Sequence, residues 1–229
     1  TDFSDNAVTP NFQMASIPLS ANLVARSGGA NATLSASTVT IRAGDSGSKT
    51  VNQTVSEVGV FTITAAPAAG GYFGLTVSGG TSPNIGRFYP DHFRVTGAGS
   101  LTPACSSATP FTYLGQAFGI SGVTLRAENA SNNVTQNYTG SFARFVPGTI
   151  GNWGLAARDM GGAGTALSLD ATAASVTGSW ANGTLNANFG TIAIVRPASP
   201  AGPYNDTRIG VAPTDLDTVA IGSPNLDAD

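Results

Sequence analysis

The run VFTITA, residues 60–65, decides the fold class. Drawn as an extended chain, it puts Phe61, Ile63 and Ala65 on one face and Thr62 and Thr64 on the other. A helix would scatter these side chains around its circumference, whereas a period of two separates them cleanly. The same alternation returns along the chain. KTVNQTV (49–55) groups Val51, Gln53 and Val55, and YFGLTV (72–77) groups Phe73, Leu75 and Val77. VTLRAEN (123–129) groups Val123, Leu125 and Ala127, and SFARFV (141–146) sets Phe142 and Arg144 against Ala143 and Phe145. TLNANFG (184–190) groups Leu185, Ala187 and Phe189, and TIAIV (191–195) groups Ile192 and Ile194. One apolar face per strand is the requirement of an antiparallel sheet with one wet side. Many such strands separated by turns predict an all-β chain built from antiparallel, Ig-like β-sandwiches.

The intervening segments have turn chemistry. AGDSG (43–47) supplies Gly44 and Gly47 for positive φ and Asp45 for an Asx-turn. ENASNN (128–133) is rich in residues that tolerate the left-handed region. WANGT (180–184) holds Asn182-Gly183, the strongest short hairpin signal. With 29 glycines and 13 prolines, few uninterrupted runs of helical length remain.

A chain of 229 residues is long enough for one large or two ordinary domains. The boundary is read at IGRFYPDHF (85–93), where aromatics, an acid and the only histidine interrupt long polar and small-residue tracts. The expected domains are residues 1–86 and 87–229, two tandem sandwiches. Arg87, Phe88, Tyr89, Pro90, Asp91, His92 and Phe93 are read as an inflexible interdomain joint.

Composition excludes several function classes. Charged residues make up 10% of the chain, well under the usual value of about 25%. With a net charge of −3, there is no Lys/Arg footprint for nucleic acid, and no basic amphipathic stretch suggests membrane insertion. The single cysteine, Cys105, cannot form a disulfide within the chain.

Catalytic chemistry is not expected. A zinc site needs three or four ligands from Cys, His and carboxylates, and the chain has one His and one Cys. Asp91 and His92 are adjacent, so on a strand their side chains would diverge rather than form an acid–base pair. The chain contains no G-x-S-x-G elbow, and GGAG (161–164) lacks dinucleotide-fingerprint spacing. Asp206, Asp215 and Asp217 form a candidate calcium site, since carboxylates on loops between sandwich strands suit a cation that takes six to eight oxygens. Apart from that ion, no cofactor is expected. Trp153 and Trp180, both beside glycine-rich turns, are candidate ligand contacts.

Three stretches together carry a family resemblance: GRFYPDHFRV (86–95), FTYLGQAFGISGVTLRAENA (111–130) and NANFGTIAIVRPASPAGPYNDTRIGVAPTDLD (186–217). With the opening DFSDNAVTPNF (2–12), they resemble the conserved region of the MshQ family of MSHA pilus biogenesis proteins. Members of that family are typically large exported proteins, often with a laminin-G-like domain upstream. The resemblance implies a non-enzymatic, extracellular, structural or adhesive module of a type IV pilus-associated protein, either a mature product or an excised fragment. Its partners would be other pilus components or a host or environmental surface. Two alternatives stand beside this reading. One is a carbohydrate-binding module using Trp153 and Trp180. The other is a self-associating fibre subunit that donates residues 1–12 as a strand.

Overall fold

The computed structural model describes residues 8–161, 164–221 and 227–228. The chain is all-β and antiparallel, with three short 3-10 turns and no α-helix among the described residues. Contacts divide it into two compact units, Thr1–Phe88 and Tyr89–Asp229.

The first unit contains β1 (Met14–Ala25), β2 (Thr38–Ile41), β3 (Gly59–Ala65), β4 (Gly80–Thr81) and β5 (Ile85–Phe88). Their order is β2-β1-β3-β4, with β5 also on β3. β1 spends its first half on β2 and its second half on β3. The half paired with β2 contains a bulge at Ser16, whose φ is +53°. The extra residue keeps Met14 and Ile17, three apart, on the same buried face. VFTITA makes up all of β3 after Gly59, and Phe61 is completely buried there among Ala21, Ala32, Leu23, Leu34, Val55 and Phe88.

Two of the alternating runs in this unit are not strands. In 49–55 only Val55 makes a bridge, to Leu34. The run is held instead by the Gln53 amide, which accepts from Ala36 N and donates to Ala36 O, both at 3.0 Å. A side-chain amide thus replaces one rung of a ladder. The run 72–77 closes on itself: Tyr72 and Leu75 exchange backbone hydrogen bonds of 3.2 and 2.8 Å. Glycines at 70, 71 and 74 permit that turn, and it leaves Phe73 93% exposed at a φ of +49°. Alternation without a partner strand does not make a sheet. Residues 1–7 of the proposed donor segment lie outside the described residues, while Phe12 stacks within its own unit on Tyr72, 5.1 Å away.

The second unit has two sheets. The larger contains β6 (His92–Gly97), β7 (Ser100–Thr102), β8 (Phe118–Glu128), β11 (Leu169–Asp170), β12 (Ser175–Thr177), β13 (Trp180–Ala181) and β14 (Thr184–Ile194). Its spine is β11-β14-β8-β6, with β12 and β13 on β14 and β7 on β8. The smaller contains β9 (Ala156–Asp159), β10 (Thr165–Leu167), β15 (Thr207–Gly210) and β16 (Asp227–Ala228), ordered β10-β9-β15-β16. Each sheet buries one face. Val95, Ile120, Val123, Leu125, Ala127, Leu185, Ala187 and Ile192 do so in the larger sheet, and the opposed pair Ala157 and Ile209 in the smaller. The result is sandwich-like.

TLNANFG and TIAIV, which the alternation separates into two runs, form the single strand β14. A register shift between Phe189 and Ile192, with Thr191 at a φ of +59°, advances the phase by one residue. β8 does the same at Gly122, so Ile120 and Val123 both point inward. SFARFV is not a strand: residues 140–142 form a 3-10 turn, and Phe145 is buried just beyond it.

Candidate functional site

The motif at 85–93 gives one phenylalanine to each unit's interior. Phe88 ends β5 and packs on Phe61, with ring centroids 6.1 Å apart. Phe93, on β6, is fully buried within 5.7 Å of Tyr138, Phe145 and Trp180. Between them, Tyr89 is exposed and Pro90 buried.

His92 departs from expectation. β6 begins at His92, so Asp91 stands in a bend before the strand and the rule of diverging side chains does not reach it. The His92 ring Nδ1 donates to Asp91 Oδ2 at 2.9 Å. On the other side Nε2 lies 3.4 Å from Glu128 Oε2, and the exposed Arg94 guanidinium stands 3.9 Å from the same oxygen. Glu128 is 1% exposed and directly opposite His92 across the β6–β8 ladder. An imidazole and a guanidinium therefore stand beside a buried carboxylate, but Glu128 Oε2 has no hydrogen-bond partner. None of these residues lines either of the grooves described below.

Two of the three aspartates proposed for calcium, Asp215 and Asp206, have other side-chain partners, while the Oδ2 atom of Asp217 is buried and accepts no hydrogen bond. Asp215 is buried; its Oδ1 accepts from the backbone N–H of Asp217 and Val219 at 2.8 and 2.9 Å. Its Oδ2 accepts from the Tyr138 hydroxyl at 2.7 Å. That hydroxyl in turn accepts from Phe145 N at 2.9 Å. Burial, reinforced by the hydrogen bond to Asp215 and its charge, pushes the Tyr138 phenol far above its ordinary value. Asp206 belongs elsewhere: it pairs with Arg208 Nε at 3.1 Å, and its backbone N–H donates to Asp159. Among the described residues no three His, Cys, Asp or Glu side chains converge as a metal-ligand set. The side chains of Asp227 and Asp229 lie outside the described residues.

Trp153 and Trp180 are not on the surface. Both are buried, and their indole N–H groups are capped inside, by Pro147 O at 2.8 Å and Phe145 O at 3.1 Å. Trp153 meets Phe189 edge-on at 4.7 Å, and Trp180 meets Tyr138 at 4.8 Å. Glycine-rich turns beside a tryptophan here let the ring fold inward, so neither presents a face to a ligand.

The exposed aromatics that sequence reasoning passed over are Phe111 and Tyr113, 42% and 66% exposed. They line an open groove of about 640 Å³ together with Pro103, Pro110, Pro203 and Tyr204. Tyr113 also lines a neighbouring groove of about 410 Å³. Among the described residues, the wall of the larger groove contains no Asp, Glu, His, Lys or Arg. The lining residues come from segments near 101–103, 109–114 and 201–207. Their signal in the sequence is the pair F-T-Y, aromatic at alternate positions in a segment with no acid or base from Val95 to Leu125.

No curated protein and no solved structure matches this chain. A family model, described as the third domain of DUF6701, matches residues 57–229, starting two residues before β3 and running to the end of the chain. With three quarters of its length inside that match, the chain belongs to the DUF6701 third-domain family.

Proposed function

We propose that this chain is a non-enzymatic, cell-surface structural and adhesive module of a type IV, MSHA-like pilus-associated protein. The observation that carries the reading is the wall of the Phe111–Tyr113 groove. A groove whose wall offers rings, prolines, hydroxyls and amides, and no acid or base, is suited to holding a ligand and not to moving protons. The buried polar groups of the second unit support the same reading. Asp215, Tyr138 and the two indoles spend their hydrogen bonds on fastening loops to one another. A surface with few charges and many Ser, Thr, Asn and Gly side chains accords with an extracellular β-protein. Resemblance to MshQ proteins supports the pilus association.

The test is immunogold labelling of intact, unpermeabilised cells of the native bacterium with antibody raised against this chain. Label on the cell surface or along pili is expected. Label that appears only after permeabilisation would remove the reading.

A further inference from the structure

Resting on that adhesive reading, we propose that the groove formed by Phe111, Tyr113 and Tyr204 is a binding site for a neutral oligosaccharide chain. Four features converge on this ligand class. The first is ring presentation. Phe111 and Tyr113 meet at 5.0 Å with their planes 80° apart, so one ring can floor the groove while the other walls it. The carbon-bound hydrogens of a pyranose face are apolar and pack on an aromatic face, while its rim hydroxyls stay free to bond. Two large rings that touch each other and stay 42% and 66% exposed are otherwise an unfavourable surface.

The second feature is preorganisation. Phe111 exchanges two backbone hydrogen bonds with Cys105, of 3.0 and 3.1 Å. Tyr113 N donates to Gln116 Oε1 at 3.1 Å, and Gln116 N donates back to Tyr113 O at 2.9 Å. Thr112, between the rings and lining the same groove, accepts from Ala104 N at 3.1 Å. The segment that carries both rings is therefore braced before any ligand arrives, which reduces the ordering cost of binding.

The third feature is the polar complement. Thr102, Thr109, Asn205 and Thr207 line the same groove. Hydroxyls and amides both donate and accept, as sugar hydroxyls do. A polyproline peptide, the other class that docks on aromatic grooves, presents backbone acceptors alone. The absence of any arginine, lysine or carboxylate from this wall disfavours anionic and cationic glycans, whose charges would be left without partners.

The fourth feature is extent. About 640 Å³ falls inside the span of roughly 300–1,000 Å³ typical of small-ligand sites. Tyr113, Leu114 and Ala201 line both this groove and its neighbour, so the surface continues past one sugar ring onto a wall that holds a single charged residue, Arg196. A chain fits that run better than a monosaccharide.

Isothermal titration of the full chain provides the test. The neutral probes are cellohexaose, chitohexaose, mannohexaose and xylohexaose. The comparators are hexagalacturonate, heparin hexasaccharide and a proline decamer. At least one neutral probe is expected to bind. Tyr113→Ala is expected to weaken it by at least about tenfold, Tyr113→Phe to retain it, and the melting temperature of both variants to stay at the parent value. Failure of every neutral probe, preference for an anionic comparator or for the proline decamer, or unchanged affinity in Tyr113→Ala each overturns the assignment. Surface immunogold label combined with no neutral-probe binding would remove the glycan and leave the adhesive reading standing.

Discussion

Single residues in this protein are tied to one another by buried polar contacts that composition conceals. Tyr138 is the hinge pin of the second unit: its hydroxyl joins the loop at Phe145 to the turn at Asp215. Tyr138→Phe keeps the ring and deletes both bonds, one of them to a carboxylate, and is expected to cost about 2–3 kcal/mol in urea unfolding. The same residue predicts an alkaline response. Its phenol is held protonated in the folded state by burial first and by Asp215 second, so its folded pKa is raised. In the unfolded chain it ionises near its ordinary value of about 10. Below that pH the contribution is fully present; above it the unfolded state loses a proton that the folded state keeps, and stability falls. Tyr138→Phe should therefore show a shallower loss of stability than the parent between about pH 10 and 11, read from urea midpoints. His92 makes a second case. His92→Ala deletes the hydrogen bond to Asp91 and removes the imidazole beside the buried Glu128 carboxylate, with an expected cost of about 0.5–1.5 kcal/mol. Adding Glu128→Gln in that background should recover part of the loss, and a double-mutant cycle measures the coupling. The expectation that Asp91 and His92 diverge fails because it placed both on a strand, and the strand begins only at His92.

At the scale of elements, long strands with shifted phase dominate. β1, β8 and β14 each contain a register break with a residue at positive φ, namely Ser16, Gly122 and Thr191. Each break lets buried residues sit three apart, and three-residue spacing is what a strict period of two reads as the end of a strand. The hairpin at Asn182-Gly183 is different, because its chemistry is local. Both residues take positive φ, +47° and +72°, as the dipeptide predicts. A side chain at 183 would also run into the Thr135 carbonyl oxygen, whereas one at Gly122 meets nothing within 4 Å. Gly122→Ala is expected to cost the backbone strain alone, about 1–2 kcal/mol. Gly183→Ala should cost measurably more, and equal thermal shifts for the two would show that the Thr135 contact is absent in solution. The runs at 49–55, 72–77 and 141–146 alternate as well as true strands do, but each has its hydrogen bonds met elsewhere. Periodicity describes one chain, while a ladder needs two.

For the whole molecule, the two units differ in what they bury. The first is organised around Phe61 with Ala21 and Ala32, while the second buries two tryptophans, a tyrosine and several phenylalanines. Smaller apolar cores give smaller stabilities, so the first unit is expected to unfold at lower urea. Both tryptophans of the chain lie in the second unit. Tryptophan fluorescence should then report only the later transition, while far-ultraviolet circular dichroism reports both; coincident curves would mean that the units unfold together. The all-β character and the Asn-Gly hairpin were determined by the sequence itself, because side-chain alternation and left-handed turn preference act within a few residues. Tertiary structure decided which alternating runs become strands, that Trp153 and Trp180 turn inward, that Asp215 serves a tyrosine, and that Phe111, Tyr113 and Tyr204 share one groove. Each of these depends on groups tens of residues apart meeting only after apolar faces have chosen their partners, and no local pattern encodes that choice.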